Sequence, residues 1–300
     1  MNRRTFGQSI AAAAIATALP TRNSATPAPQ PPPYALSVML WTVFHDLPFE
    51  DRLAKVAEAG YNQVELVGEY KNWQQAEFDR ANAARKRLGI QFDATAGLAH
   101  GIADPSTRDA FLADLRQALV PMQTIECPAM IVMSGNVVPS LTREAQHRAS
   151  IETLKQAAAL VEGKTIAGQP IRLLLECIHL EENPKYFLTS ANEAIDIVRA
   201  VNHPQVQFLY DIYHEQMSYG DLISKLDKHI DVIGLIHIAD VPGRHQPGTG
   251  EVNYGNIYKK LAELNYRHNV AMEFLPTGDP GFALKNARRY VEEATAVLIT

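Results

Sequence analysis

The chain has 300 residues, of which 46% are hydrophobic and 20% are charged, and its formal net charge is -5. This composition is typical of a globular protein with a large core. The acidic balance and the lack of a basic stripe argue against nucleic acid as a partner. No apolar run of the mature chain is long enough to span a membrane. Cys127 and Cys177 are predicted at opposite ends of the core, so we expect no disulfide between them.

Residues 1–33 are predicted to lie outside the fold. Twin arginines, Arg3-Arg4, precede an Ala-rich apolar run over residues 10–19, and a Pro-rich stretch covers residues 27–33. This order is typical of a secretory signal of the twin-arginine type followed by a linker. A short amphipathic helix is the alternative. We therefore predict a periplasmic or exported protein whose catalytic domain covers residues 34–300.

From residue 34 onwards, apolar strand patterns alternate with helical patterns eight times. The predicted strands cover residues 35–41, 63–67, 90–96, 129–133, 171–176, 206–211, 232–237 and 270–274, and the helices cover residues 49–59, 75–88, 106–120, 142–162, 190–201, 220–229, 254–264 and 281–298. Eight such units predict an α/β fold, a single (β/α)8 TIM barrel. A doubly wound sheet also alternates in this way, but no Gly-rich phosphate-binding motif follows the first strand. Ser106 and Thr142 are the predicted caps of their helices.

Four ionisable side chains stand at the ends of the last four predicted strands: Glu176, Asp211, His237 and Glu273. In a TIM barrel the active site lies at the carboxyl ends of the strands, so these side chains should converge. Taken singly, each is as well explained by a helix cap or a loop ion pair. As a set, three carboxylates and one imidazole favour a divalent metal ion, Mn²⁺, Mg²⁺ or Co²⁺, with Zn²⁺ as a further possibility.

Such a site suits proton transfer on an α-hydroxy-carbonyl compound. A divalent ion can hold the carbonyl and the neighbouring hydroxyl and stabilise the charge of a metal-bound enediolate. Glu176 and Glu273 come from strands separated by two others, so they can face each other across the ion and move a proton between adjacent carbons. The residues therefore predict an isomerase or an epimerase.

Several segments resemble a known family. They are Leu175-Glu176, Tyr210-Asp211-Ile212-Tyr213-His214, Pro242-Gly243-Arg244-His245-Gln246-Pro247, Gly250-Glu251-Val252-Asn253-Tyr254 and Met272-Glu273-Phe274. Together they resemble hydroxypyruvate isomerase and the wider xylose isomerase-like barrels, which include ketose 3-epimerases. The resemblance covers most of residues 34–298, and its most specific part is the Pro-x-Arg-His-x-Pro segment followed by Gly-Glu-x-Asn-Tyr.

The resemblance implies roles for individual residues. Glu176 and Glu273 correspond to the paired acid/base glutamates, which also bind the metal, and the remaining metal ligands correspond to Asp211 and His237. The residues that correspond to substrate contacts are Glu182, His214 and Arg244. His237 stands where hydroxypyruvate isomerase carries Gln and the epimerases carry His, and Glu182 matches the epimerases alone. These two departures leave the substrate open.

The implied substrate is hydroxypyruvate, with tartronate semialdehyde as its product, or a related sugar. Alternatives on the same site are a ketose 3-epimerase and a keto-inositol dehydratase, and a non-catalytic exported sugar-binding protein is the alternative outside the enzymes. A DNA repair nuclease of this fold would require more histidines and a basic face. A homo-oligomer is left open.

Four further residues near the predicted strand ends receive less specific expectations. Glu65 ends the second strand and is expected in solvent by default. His45 and His100 are expected at the rim of the barrel rather than as ligands. Trp41 is expected to pack in the core, with an apolar wall for the substrate as the alternative.

Overall fold

The computed structural model describes residues 32–296 and contains a closed barrel of eight parallel strands. The strands are β1 (Ala35–Met39), β2 (Gln63–Leu66), β3 (Gln91–Thr95), β4 (Ala129–Met133), β5 (Arg172–Glu176), β6 (Val206–Asp211), β7 (Ile233–Ile238) and β8 (Asn269–Met272). Each strand pairs with its neighbours in chain order, and β8 pairs with β1 to close the ring. The predicted (β/α)8 TIM barrel is therefore confirmed. The predicted signal segment lies almost entirely in residues 1–31, outside the described residues, and remains a prediction.

The helices follow the strands in chain order. They are α1 (Phe49–Glu58), α2 (Gln75–Leu88), α3 (Arg108–Thr124), α4 (Arg143–Val161), α5 (Ala191–Val201), α6 (Ile212–Ser218), α7 (Leu222–His229), α8 (Tyr254–Glu263) and α9 (Pro280–Ala296). Helix α6 was not predicted. It begins directly after β6 because the Asp211 carboxylate accepts a hydrogen bond from the backbone N–H of His214 and caps the helix.

The two predicted helix caps have different outcomes. The Thr142 side chain accepts a hydrogen bond from the backbone N–H of Ala145 and caps α4, as predicted. Ser106 does not cap α3. Instead the Asp104 carboxylate accepts the backbone N–H and the hydroxyl of Ser106, and this opens a short 3-10 turn before the α-helix begins at Arg108. The shorter and negatively charged side chain two residues earlier competes successfully for the cap position.

The strands present alternate residues to two separate hydrophobic clusters. In β6, Phe208 and Tyr210 belong to the large cluster between the strands and the helices, whereas Leu209 belongs to a small cluster inside the barrel. Leu174, Leu235 and Ala271 belong to the same inner cluster. Because side chains along a strand alternate between its two faces, the residue two positions after each of these also points inward. Those residues are Glu176, Asp211, His237 and Glu273.

Two further findings concern the fold. Cys127 and Cys177 are both buried and free, which confirms the expectation of no disulfide. Among the described residues, no helix has the length and apolar character needed to cross a membrane. A two-stranded antiparallel hairpin, Thr165–Ile166 with Gln169–Pro170, lies between α4 and β5 and was not predicted.

Candidate metal centre and active site

The four side chains at the ends of β5 to β8 meet at one point. Glu176, Asp211, His237 and Glu273 each offer a ligand atom within 4.8 Å of the others, and all four residues are buried. His237 Nδ1 is the centre of the group, 2.7 Å from Glu273 Oε2, 3.8 Å from Glu176 Oε1 and 3.9 Å from Asp211 Oδ2. The barrel thus brings together the four residues that the sequence nominated.

Glu65 completes this cluster from β2. The residue is fully buried, and its Oε2 lies 2.9 Å from His237 Nε2, so the expectation that Glu65 faces solvent was wrong. A carboxylate can only accept here, so His237 Nε2 carries the proton and Nδ1 keeps a lone pair aimed at the other three carboxylates. Strand period 2 carried the missed signal, since Val64 and Leu66 face the helices and Glu65 must face inward.

The charges of the cluster shift the pKa values of its members. Burial raises the pKa of Glu176 to about 8, helped by the neighbouring Glu273 and Asp211 and opposed by His237. Burial acts in the same direction on Glu273, but the positive charges of His237 and Arg244 outweigh it and hold its pKa below the ordinary range. Burial lowers the pKa of His237, yet the Glu65 and Glu273 carboxylates outweigh burial and raise it. A cation at this point would relieve the repulsion between the carboxylates.

The cluster has the chemistry of a divalent metal site. His237 Nδ1 and Glu273 Oε2 are buried and neither makes a hydrogen bond of acceptable geometry, although they lie 2.7 Å apart. Buried polar atoms that remain unsatisfied need a ligand. Three carboxylates and one imidazole suit a hard or borderline ion. The carboxylate of Glu65 behind the imidazole is the usual outer support of a metal-binding histidine. These residues therefore fit a divalent ion.

The three predicted substrate contacts lie beside this cluster. Arg244 Nη2 is 2.9 Å from Glu273 Oε2, and Arg244 Nη1 is 3.0 Å from Glu182 Oε2. The Arg244 guanidinium also lies 5.5 Å from the ring centre of Trp41 and 5.2 Å from that of Tyr213. The structure thus brings Arg244 and Glu182 into direct contact with each other at the mouth of the site.

His214 lies on the first turn of α6, with its Nε2 3.5 Å from Asp211 Oδ2. Its Nδ1 is 2.6 Å from Nδ1 of His179, a buried residue in the loop after β5 that the sequence reasoning missed. No pattern pointed to His179, because it follows Cys177 and Ile178 in a loop without periodicity. Only the folded loop places its ring against α6.

The remaining expectations near the mouth can now be compared with the structure. Trp41 is neither core nor apolar wall alone, because its indole N–H donates to Glu273 Oε1 at 3.0 Å. His100 pairs with Asp114 at 2.8 Å and His45 is exposed, so neither belongs to the cluster, as expected. In the loop after β7, the Asp240 carboxylate accepts four backbone N–H groups and fixes the segment that carries Arg244.

Comparisons with known proteins agree with this architecture. Residues 53–298 match the family model described as xylose isomerase-like TIM barrel. A 2-oxo-tetronate isomerase of Pectobacterium atrosepticum is 30% identical over 258 residues, which is 84% of this chain and 95% of the relative. The hydroxypyruvate isomerase of Escherichia coli is 28% identical over 250 residues, which is 80% of this chain and 93% of the relative.

Solved structures show the same similarity. A structure titled AP endonuclease, family 2, from Brucella melitensis superposes with a TM-score of 0.74 at 28% identity and covers 84% of this chain and 96% of its own. The 3-keto-D-glucoside 4-epimerase of E. coli superposes with a TM-score of 0.69 at 19% identity and covers 87% of this chain and 99% of its own. At that identity the second similarity concerns the fold alone.

Proposed function

Because this chain belongs to the xylose isomerase-like TIM barrel family and is an isomerase, we propose that it interconverts the keto and aldehyde forms of a small α-hydroxy-carbonyl acid. Hydroxypyruvate with tartronate semialdehyde, or a related four-carbon acid or sugar, is the proposed substrate. The observation that carries the proposal is the pair of glutamates, Glu176 and Glu273, on two sides of one buried ligand cluster. The similarity to hydroxypyruvate and 2-oxo-tetronate isomerases supports this choice of substrate class.

Glu176 and Glu273 are the proposed proton carriers. One carboxylate takes the proton from the carbon that bears the hydroxyl, and a carboxylate returns a proton to the adjacent carbon. The pKa of Glu176 is raised and that of Glu273 is lowered, which gives the pair one better acid and one stronger electrostatic partner for Arg244. Trp41 orients Glu273 through its indole N–H.

The proposed metal ligands are Glu176, Asp211, His237 and Glu273, and Mn²⁺, Mg²⁺ or Co²⁺ are the proposed ions. A divalent ion held by these residues would supply Lewis-acid stabilisation of the negative charge that develops on the substrate oxygens. Glu65 fixes the tautomer of His237 that this binding requires.

The proposed substrate contacts are Glu182, His214 and Arg244. Arg244 lies between Trp41 and Tyr213 and contacts both Glu182 and Glu273, so its planar fork can bridge a bound oxygen and a proton carrier. A ketose 3-epimerase remains the second candidate. The observation that favours it is Glu182, whose carboxylate reaches the site and could accept a sugar hydroxyl.

The test is an isomerisation assay of the full chain with added Mn²⁺, followed by NMR in D₂O. We expect hydroxypyruvate or a four-carbon 2-keto acid to turn over with deuterium incorporated at the carbon that receives the proton. The Glu273→Gln enzyme should lose about 10²- to 10⁴-fold in kcat, the usual contribution of a positioned proton carrier. Glu58→Gln, on the exposed face of α1, serves as the matched control.

Three outcomes would contradict parts of this proposal. An active Glu273→Gln enzyme would remove Glu273 from the reaction. Turnover of ketoses at C3 without conversion of keto acids would make the protein an epimerase. Ligand binding without turnover of any substrate in the presence of metal would identify a sugar-binding protein.

A further inference from the structure

A second group of potential metal ligands lies next to the first and has no part in it. His179, Glu182 and His214 each offer a ligand atom within 4.8 Å of the others. They come from the loop after β5 and from the first turn of α6, whereas the first group comes from the ends of the strands. Two imidazoles and one carboxylate form a donor set that borderline divalent ions such as Zn²⁺ and Co²⁺ favour.

His179 is the residue whose position demands an explanation. It is 2% exposed, its Nε2 makes no hydrogen bond, and its Nδ1 faces His214 Nδ1 at 2.6 Å. Two neutral imidazoles facing each other in this way can share only one proton, so the pair still holds lone pairs that nothing in the described residues satisfies. The ring is held in place edge-on against Tyr213, with 5.4 Å between the ring centres.

The nitrogen atoms need only a small movement to bind one ion. Zn–N bonds are about 2.0 to 2.1 Å long, so two nitrogen ligands on one ion lie about 3 Å or slightly more from each other. The two imidazoles must therefore separate by a few tenths of an ångström from their 2.6 Å contact. Glu182 is already oriented towards them, since its Oε1 accepts the Tyr213 hydroxyl at 3.0 Å.

The charge of the site also calls for a second cation. Five carboxylates surround it, from Glu65, Glu176, Glu182, Asp211 and Glu273, and Arg244 supplies one fixed positive charge. A single divalent ion leaves a net charge of about -2 at the place where an anionic keto acid has to bind. Arg244 itself is occupied, because its three nitrogens contact Glu182, the Glu273 side chain and the Glu273 backbone.

We propose that His179, Glu182 and His214 bind a second divalent ion, of the Zn²⁺ or Co²⁺ class, and that this ion binds the carboxylate of the substrate. The existence of the second ion follows from the three side chains alone. Its role towards the substrate rests on the proposed function. His214 and Glu182 then contact the substrate through the ion.

The test measures metal stoichiometry in the full chain after stripping and reloading with Co²⁺, by elemental analysis and visible absorption. Wild type should bind about two ions per chain and His179→Asn about one. His100→Asn, which removes a histidine outside both groups, should still bind two. Thermal unfolding confirms that each variant is folded, and Glu182→Gln gives a second measurement if His179→Asn is not.

Several outcomes would overturn the proposal. A wild-type chain that binds one ion, or a folded His179→Asn chain that binds as many ions as wild type, removes the second site. The role towards the substrate is tested separately with oxalate, whose Kd should rise at least tenfold in His179→Asn, while an unchanged Kd would reject that role. Two ions in wild type and one in His179→Asn, with no isomerase activity on any keto acid, would leave the second site in place and reject the proposed function.

Discussion

His237 shows how two atoms of one ring are given different tasks. Its Nε2 lies 2.9 Å from the Glu65 carboxylate, and its Nδ1 faces Glu176, Asp211 and Glu273. The hydrogen bond to Glu65 determines which nitrogen is protonated and therefore which nitrogen is free to bind a metal. Glu65 is thus a positioning residue: it acts through His237 and contacts none of the other proposed ligands.

Glu65→Gln is expected to weaken metal binding about 10- to 100-fold, the usual cost of losing an outer-shell partner. The amide of Gln can still reach His237, but it removes the negative charge that makes the imidazole a strong ligand. Titration calorimetry with Mn²⁺ measures the change in Kd. Glu58→Gln should leave Kd unchanged, and an equal Kd for wild type and Glu65→Gln would reject the role given to Glu65.

Asp93 is a second buried carboxylate, at the N-terminal end of the barrel interior. Its Oδ1 accepts the Ser37 hydroxyl and its Oδ2 accepts the Asn269 amide, both at 2.6 Å. Burial raises its pKa from 3.8 to about 8, helped by the charge of Glu65 and opposed by Arg172. The folded protein therefore binds this proton more tightly than the unfolded chain does.

This difference predicts that Asp93 lowers the free energy of unfolding as pH rises. Between pH 4 and pH 8 the folded state holds the proton and the unfolded state has released it, so the contribution of Asp93 falls by up to about 1.4 kcal/mol per pH unit. Denaturant unfolding at several pH values measures this slope. Asp93→Asn should flatten it, and an unchanged slope in that variant would show that Asp93 titrates in the ordinary range.

At the scale of elements, three helices are tied together behind the site by one buried ion pair. Glu215 of α6 is fully buried, its Oε1 lies 2.7 Å from Lys225 Nζ in α7, and its Oε2 accepts the backbone N–H of Ala191 at the start of α5. Ser190, the N-cap residue of α5, makes no side-chain cap, so Glu215 takes that task. The same short helix carries His214, so this contact also holds one wall of the site.

Glu215→Ala is expected to lower the free energy of unfolding by about 3 to 5 kcal/mol, because it leaves the Lys225 ammonium buried without a partner. The double variant Glu215→Leu, Lys225→Met should cost less than Glu215→Ala, since it removes both charges and keeps the volume. Urea unfolding followed by circular dichroism measures both values. If the double variant were the less stable of the two, the buried pair would contribute net stability.

At the scale of the whole molecule, the barrel collects charges that the unfolded chain keeps apart. Glu65, on β2, and Glu273, after β8, are separated by about two thirds of the chain and both contact one imidazole. Holding these carboxylates together without a counter-ion costs stability. A ligand that binds only the folded state repays that cost by mass action.

We therefore expect divalent metal to raise the melting temperature. At a concentration one hundred times Kd, the ion adds about 2.7 kcal/mol to the free energy of unfolding, which corresponds to about 5 °C for a protein of this size. Differential scanning calorimetry with EDTA and with Mn²⁺ measures the shift. Asp211→Ala should show a much smaller shift, and equal melting temperatures for wild type in both buffers would argue against a metal site.

The sequence by itself determined the barrel and the four proposed metal ligands. Strand and helix periodicity and the stop signals Gly60 and Gly89 are local properties, and eight repeats leave few folds. An ionisable residue at the end of a buried strand is equally visible without coordinates. Because the carboxyl ends of parallel strands meet, Glu176 and Glu273 could be placed in one site from their positions in the chain alone.

Only the tertiary structure decided the partners of these residues. Glu65 reaches His237 because barrel closure brings β2 across from β7, and His179 reaches His214 because the loop after β5 folds over α6. The start of α6 likewise depends on whether Asp211 caps a helix or continues a strand. Such contacts join residues far apart in the chain, and local patterns carry no information on which buried polar groups will meet.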